Sequence, residues 1–537
     1  MVFYGGFSKG CITCLKRRVK CDEAKPTCNR CAKSKRECLG YRDEQALAFR
    51  DEGRAAAGSV PRWRNKVRHQ NSDQTRYIRR FTDAVLDTSI HSDAALCGIP
   101  TVAIVYALRA EPGSSLSHAK EALNTAMMAA RDPKNKDLRE SSHLRYGKAI
   151  TSLASDTKAN YESHDILICI LLLVLAGATM ETGPKLAWWA MHSWASEAIA
   201  RSMGREMGKD KQSIQILLCI RSQMLLRHST RPERFVDIVN DENPNLLSWS
   251  DIPEEFHNNP AFTLQRLLTP VPGIRWDFEH FMDEPYADTD MLQGFDLIAR
   301  CRRVDQALSH WHEFLPPDWQ PIYVDHKPTA IPEDDDLRTI MAWAAGERIC
   351  IYRDQWVLFH QSTLMIYRYF LQAFILSVGA RMLGCTVHDI ANDEIDKREP
   401  LYSMLVQAKE AILGLLDRSC RSVYHHLGLS PIQIGTSTIK SPMDLKPPVF
   451  APIILMKLLW QSNSVIIGDD RHRKMVKASL RFLGEHFGTK FCCHLGSNDE
   501  WCETPLFSID PANYAIRRKA AEVPGLSETF AKVDVAS

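Results

Sequence analysis

The sequence predicts a small, metal-stapled cysteine module followed by a large all-α body. Three observations predict it. Six of the sixteen cysteines fall within the first 38 residues at a repeating interval, the excess positive charge is concentrated among them, and most of the remaining chain places apolar residues three and four positions apart.

The first element is set by Cys11, Cys14, Cys21, Cys28, Cys31 and Cys38. They read C-x2-C-x6-C twice, the second copy displaced by seventeen positions. Tetrahedral zinc takes four ligands, and thiolates are its usual structural partners in reducing compartments. Six sulfurs serve one metal with two left over, or two metals if two sulfurs bridge both, so the spacing predicts a binuclear cluster of two zinc ions. Six thiolates and two Zn2+ carry about −2 by ligand counting, which favours cations nearby. A disulfide framework would need an oxidising compartment, and Met1 to Gly10 has no apolar signal segment. A RING or zinc ribbon would use four or eight ligands and often histidine, whereas the first histidine is His69.

Residues 1–42 hold eleven basic side chains against Asp22, Glu23 and Glu37, a local charge of +8 in a chain of +2, so the other 495 residues sum to −6. A compact basic module on an acidic body is the electrostatic footprint of a phosphate-backbone partner, with affinity that falls steeply with salt. Charge alone selects no sequence. Arg can, by pairing with guanine O6 and N7 in the major groove, and Leu15 to Lys20 is a short helix-compatible run beginning at a metal-held turn. Asp22 and Glu23 read as turn and helix-terminus residues.

The run from Cys11 to Cys38 closely resembles the fungal Zn2Cys6 binuclear-cluster transcription factors, with all six cysteine positions matched. The resemblance implies that the first cysteine of each half bridges, Cys11 and Cys28, with Cys14 and Cys21 completing one site and Cys31 and Cys38 the other. It also implies two short helices separated by a turn at Pro26. Arg17 and Arg18 then occupy base-reading positions over a CGG half-site, with Lys16 beside them and Lys20 facing phosphate. Lys33, Lys35 and Arg36 in the second half are expected to contact phosphates. The alternative for Arg17 and Arg18 is phosphate binding without base discrimination, and for Lys33, Lys35 and Arg36 it is simple solvation.

Residues 43–80 are expected to form a basic, flexible linker. Arg54-Ala55-Ala56-Ala57-Gly58-Ser59-Val60-Pro61 is a connector, and Arg62, Arg64, Lys66, Arg68, Arg76, Arg79 and Arg80 surround Trp63 and Tyr77. That basic stretch suits added phosphate contacts, nuclear import or a solvated charged linker. No apolar heptad is sustained between residues 42 and 95, which departs from the dimeric coiled-coil members of the resembled family and leaves a homodimer as one open arrangement.

Residues 81–537 are expected to be helical, with periodic stretches at Leu144 to Ala154, Leu186 to Met203, Met341 to Met382 and Met404 to Leu416. Ile166 to Ala178 is the most apolar run, but thirteen residues fall short of the roughly 20 a membrane span needs, so it reads as a buried helix and no membrane partner is expected. Tyr146-Gly147-Lys148-Ala149, Ile166 to Leu175 leading to Trp189 and His192, Tyr352-Arg353-Asp354-Gln355-Trp356 with Tyr367-Arg368, and Lys477 to Gly484 resemble the fungal-specific regulatory domain that accompanies the zinc cluster. His192 among Trp188, Trp189 and Trp194 reads as a packed core histidine. Asp334 to Asp336 read as the capped start of a helix near Leu337. Cys169 and Cys219 read as small buried hydrophobes, and a metal or redox role for Cys492, Cys493, His494 and Cys502 is the weaker alternative to scattered structural cysteines.

No catalytic residues are expected. Gly6 to Gly10 fits G-x-S-x-G but lacks the strand and helix a nucleophile elbow requires, and there is no H-E-x-x-H, phosphate loop or dinucleotide fingerprint. The expectation is therefore a nuclear, zinc-dependent regulator of RNA polymerase II genes that binds double-stranded DNA, with the helical body engaging the transcription machinery or a co-regulator. A DNA-tethered enzyme and a zinc-stabilised protein- or RNA-binding adaptor are the alternatives.

Overall fold

Helices dominate the described residues, some of them built from the predicted periodic stretches, seen here in a computed structural model. It describes part of residues 11–38, then 110–131, 135–159, 163–180, 187–230, 251–283, 290–325, 334–427 and 470–497 with short gaps, and a few positions between 454 and 462. The basic linker at 43–80 and Cys502 lie outside the described residues. These fall into two separate units, the cysteine module and the helical body, which are taken in turn. Elements are numbered in chain order among those described.

In the cysteine module, helix α1 (Asn29–Lys33) begins at Cys28, whose Sγ accepts the Cys31 N–H as an N-cap oxygen would. In the first half the Arg17 N–H bonds to the Thr13 carbonyl and the Val19 N–H to the Cys14 carbonyl, closing one helical turn.

The body opens with α2 (Ser115–Arg131), α3 (Lys136–Ala159) and α4 (His164–Met180), which pack on one another. Ala119, Ala122 and Ala126 give α2 a small-residue face that lets its neighbours approach, and Arg145 on α3 pairs with Glu121 on α2 at 2.6 Å. The Ile166 to Ala178 run lies within α4, and Ile166 to Ala176 are buried, as their composition requires. Next come α5 (Ala187–Met203), a 3-10 turn at Gly204–Gly208, where Gly204 takes a left-handed φ of 51°, and α6 (Lys211–Thr230).

Asn259 caps α7 (Pro260–Leu268) by accepting the Ala261 N–H at 2.8 Å, with Pro260 at the first helical position. Then follow α8 (Val271–Asp283), α9 (Asp290–Glu313), α10 (Asp335–Ala344), α11 (Gln355–Leu383), α12 (Val387–Ala391), α13 (Tyr402–His426), α14 (Asp470–Phe487) and α15 (Lys490–Ser497). Asp334 caps α10 by accepting the Leu337 N–H at 2.7 Å. The start of that helix is where its carboxylates indicated.

The periodic run Met341 to Met382 is not one helix. It crosses the end of α10, a short strand and most of α11, because β-branched Ile349 and Ile351 flank Cys350 in extended backbone. That strand, β2 (Arg348–Ile351), pairs antiparallel with β1 (Ile322–Asp325), with Ile322 opposite Ile351 and Asp325 opposite Arg348. These are the strands among the described residues, in an otherwise helical body.

Helix α11 is the axis of the core. Its 29 residues span about 43 Å, and it packs against α8, α9 and α13. It is long and apolar enough to cross a bilayer, yet 89% of its most apolar window is buried among the other helices. Arg368 is accommodated by a two-pronged pair with Asp305 on α9, at 2.7 and 3.1 Å. Gly379 meets α13 so closely that a Cβ there would lie 2.3 Å from Leu405 Cδ2.

Candidate metal centre and nucleic-acid interface

The site is built by folding the two C-x2-C-x6-C copies onto each other. The thiols of Cys11, Cys14, Cys28 and Cys31 are fully buried, and those of Cys21 and Cys38 are half-buried. Sulfur separations are 3.6 Å for Cys11 and Cys28, 3.7 Å for Cys11 and Cys31, 3.7 Å for Cys14 and Cys28, and 3.9 Å for Cys14 and Cys31. Tetrahedral zinc with Zn–S near 2.3 Å places its sulfurs roughly 3.8 Å apart, so the separations of the pairs that include Cys11 or Cys28 fit the metal.

Two overlapping groups of four sulfurs form, each within 4.8 Å of one another. One is Cys11, Cys14, Cys21 and Cys28, the other Cys11, Cys28, Cys31 and Cys38. They share Cys11 and Cys28. Each shared sulfur also accepts a backbone N–H three residues on, Cys14 to Cys11 at 3.4 Å and Cys31 to Cys28 at 3.3 Å, so the sequence repeat is a repeat of hydrogen bonds as well. Burial pushes the thiols of Cys11, Cys14, Cys28 and Cys31 above their ordinary titration range. A divalent cation reverses that balance, since a coordinating thiol is deprotonated outright. The donor set therefore fits two soft-ligand cations and is poorly suited to holding thiolates without them.

Residues 9–46 match the fungal Zn(2)-Cys(6) binuclear cluster domain. The chain carries that domain. It binds two zinc ions, and the paired sulfur groups are where this chain has the ligands for them. The chain is 52% identical over 52 residues to white-opaque regulator 2 of Candida albicans, covering 10% of this chain and 12% of that protein. It is 57% identical over 37 residues to the transcriptional regulatory protein moc3 of Schizosaccharomyces pombe, 7% of each chain. A third relative, the transcription activator AMTR1 of Alternaria alternata, is 41% identical over 56 residues, 10% of this chain and 7% of its own. The likeness thus spans only about a tenth of these relatives' lengths. No solved structure matches the chain.

Around the Zn(2)-Cys(6) domain's sulfurs, Arg17, Arg30, Lys33 and Arg36 are all exposed. The remaining expected DNA contacts, Lys16, Arg18, Lys20 and Lys35, lie outside the described residues. Sequence reasoning placed Asp22 at a helix terminus, and its carboxylate does accept two N–H groups at the start of α1. Arg30, one of the eleven basic residues of the segment, is exposed in the same five-residue helix.

The body holds a second polar cluster that composition did not reveal. Glu197 on α5 pairs with Arg227 on α6, with Arg201 at 2.8 Å and with His228 at 3.3 Å, and Arg227 lies 5.1 Å over the Trp194 ring. Burial opposes the Glu197 charge, but His228, Arg227 and Arg201 outweigh it and hold the carboxyl down at about 2. His192 is hydrogen-bonded through Nε2 to Tyr146 Oη at 2.6 Å, joining α5 to α3, and burial pushes it down to about 4. Cys169 and Cys219 are wholly buried among aliphatic neighbours.

Proposed function

We propose that this protein is a nuclear, zinc-dependent transcription regulator that binds duplex DNA through residues 1–42 and reads CGG-type half-sites in the major groove at RNA polymerase II genes. The reading is carried by the two sulfur groups sharing Cys11 and Cys28, within the matched domain at residues 9–46, and is supported by the chain's local likeness to regulators of transcription. In this reading Cys11, Cys14, Cys21, Cys28, Cys31 and Cys38 are the zinc ligands, Cys11 and Cys28 bridging. Arg17 and Arg18 contact base edges, while Lys16, Lys20, Lys33, Lys35 and Arg36 neutralise phosphates. Residues 43–80 act as a basic linker, and residues 81–537 act as the regulatory domain, engaging co-regulators or the transcription machinery and performing no catalysis of their own.

The test is a binding titration of the full-length zinc-loaded protein against duplexes with and without CGG triplets, with single-stranded RNA as competitor. CGG duplexes should bind preferentially, with affinity falling as salt rises. Arg18→Ala should lose about 1–3 kcal/mol on CGG sites and relax the preference, whereas Lys20→Ala should weaken all duplexes alike. Equal binding of triplet and scrambled duplexes, or preference for the RNA, overturns the proposal.

A further inference from the structure

The halves of the cysteine module are joined by polar bonds that involve no sulfur. Asp22 follows Cys21 in the first half, and its two carboxylate oxygens accept the Asn29 N–H at 3.0 Å and the Arg30 N–H at 3.1 Å. These are N–H groups at the start of α1, where a helix lacks internal partners. Thr13, in the first-half turn, donates its hydroxyl to the Glu37 carbonyl at 3.0 Å. One bond set therefore fixes the start of the helix that carries Cys31. The other fixes the residue before Cys38.

Both clamps run in one direction, from the first half to the second. Seventeen positions after Asp22 stands Leu39, and seventeen after Thr13 stands Arg30, so the repeat that duplicates the cysteines does not duplicate the clamps. Local support recurs in both halves: the Cys14 carbonyl accepts the Val19 N–H at 3.1 Å and, seventeen positions on, the Cys31 carbonyl accepts the Arg36 N–H at 3.0 Å, so the feature that sets the halves apart is the pair of clamps.

We propose that Asp22 is a positioning residue for the second metal site, assisted by Thr13, so that the two zinc ions are held unequally. The ion bound by Cys31 and Cys38 depends on geometry imposed by the first half. The ion bound by Cys14 and Cys21 does not. After loss of the second ion, Cys11, Cys14, Cys21 and Cys28 still make a complete tetrahedral set, so a one-zinc protein is a defined intermediate. This inference rests on the two-zinc domain and is independent of what the module binds.

The experiment follows zinc transfer from the full-length protein to an excess of chromogenic chelator, with native mass spectrometry counting bound metal and alkylation mapping the sulfurs freed in the one-zinc species. Asp22→Asn keeps the side-chain volume but turns one acceptor into a donor facing an N–H. It should release one ion about 10-fold or more faster than the wild type, on the scale of lost supporting bonds at metal sites, while the other leaves at close to the wild-type rate. Alkylation should fall on Cys31 and Cys38 and spare Cys14 and Cys21. Thr13→Val should act in the same direction with a smaller factor, and it carries the test if Asp22→Asn fails to load zinc. Unchanged release, equal acceleration of both ions, or alkylation at Cys14 and Cys21 overturns the proposal.

Discussion

Cys28 does two things at once. It belongs to both sulfur groups, and its sulfur caps α1 by accepting the Cys31 N–H. Cys28→Ala should therefore leave less than one zinc per chain by native mass measurement, whereas Cys38→Ala, which removes a sulfur from a single group, should retain one. Equal metal content in the two variants would contradict the shared role. In the body, Glu197 occupies the corresponding position of consequence, because its neutralisation takes the paired carboxylate charge from Arg227, which is only 2% exposed. Glu197→Gln should destabilise the body by about 3–5 kcal/mol, the cost of leaving one member of a buried pair uncompensated, read as a lower midpoint in urea. The cysteine ligands were legible from their spacing because a metal cage constrains positions along the chain. The Glu197 cluster was not, because its members lie on two helices whose facing is decided by the packing of all their neighbours.

At the level of elements, helix identity followed from period and capping. Asp334 announced α10, and Ile166 to Ala178 announced α4. The strands escaped notice because four-residue runs such as Ile322–Asp325 are too short for periodicity to separate from helix ends. Equally hidden was the closeness of α11 to α13, which depends on Gly379 lying against Leu405. Gly379→Ala gains helix propensity but drives a methyl into that contact, so we expect a net loss of about 1–3 kcal/mol from overpacking, with Leu405→Ala in the same chain recovering part of it. A double-mutant cycle of melting curves checks this. Additive losses would show that the two helices do not meet there.

Several histidines of the body are held neutral by burial. Burial pushes His192, His312 and His425 down to about 4 from an ordinary value near 6.5. The unfolded chain takes up those protons first, so stability should fall as pH drops below 6.5 and continue falling toward 4. Glu197 works in a lower window, since a carboxyl held at about 2 loses its contribution only as pH falls from the ordinary carboxylate range toward that value. Thermal melts of the helical signal between pH 7 and 4 at fixed ionic strength should show the decline, and a flat midpoint across that range would contradict it. The burial of α11 matters beyond stability. A truncated fragment that kept Gln355–Leu383 but lost α9 or α13 would bare an oily rod of bilayer length, inviting precipitation or spurious partition into detergent and lipid, so any dissection of this protein should cut on either side of the whole bundle.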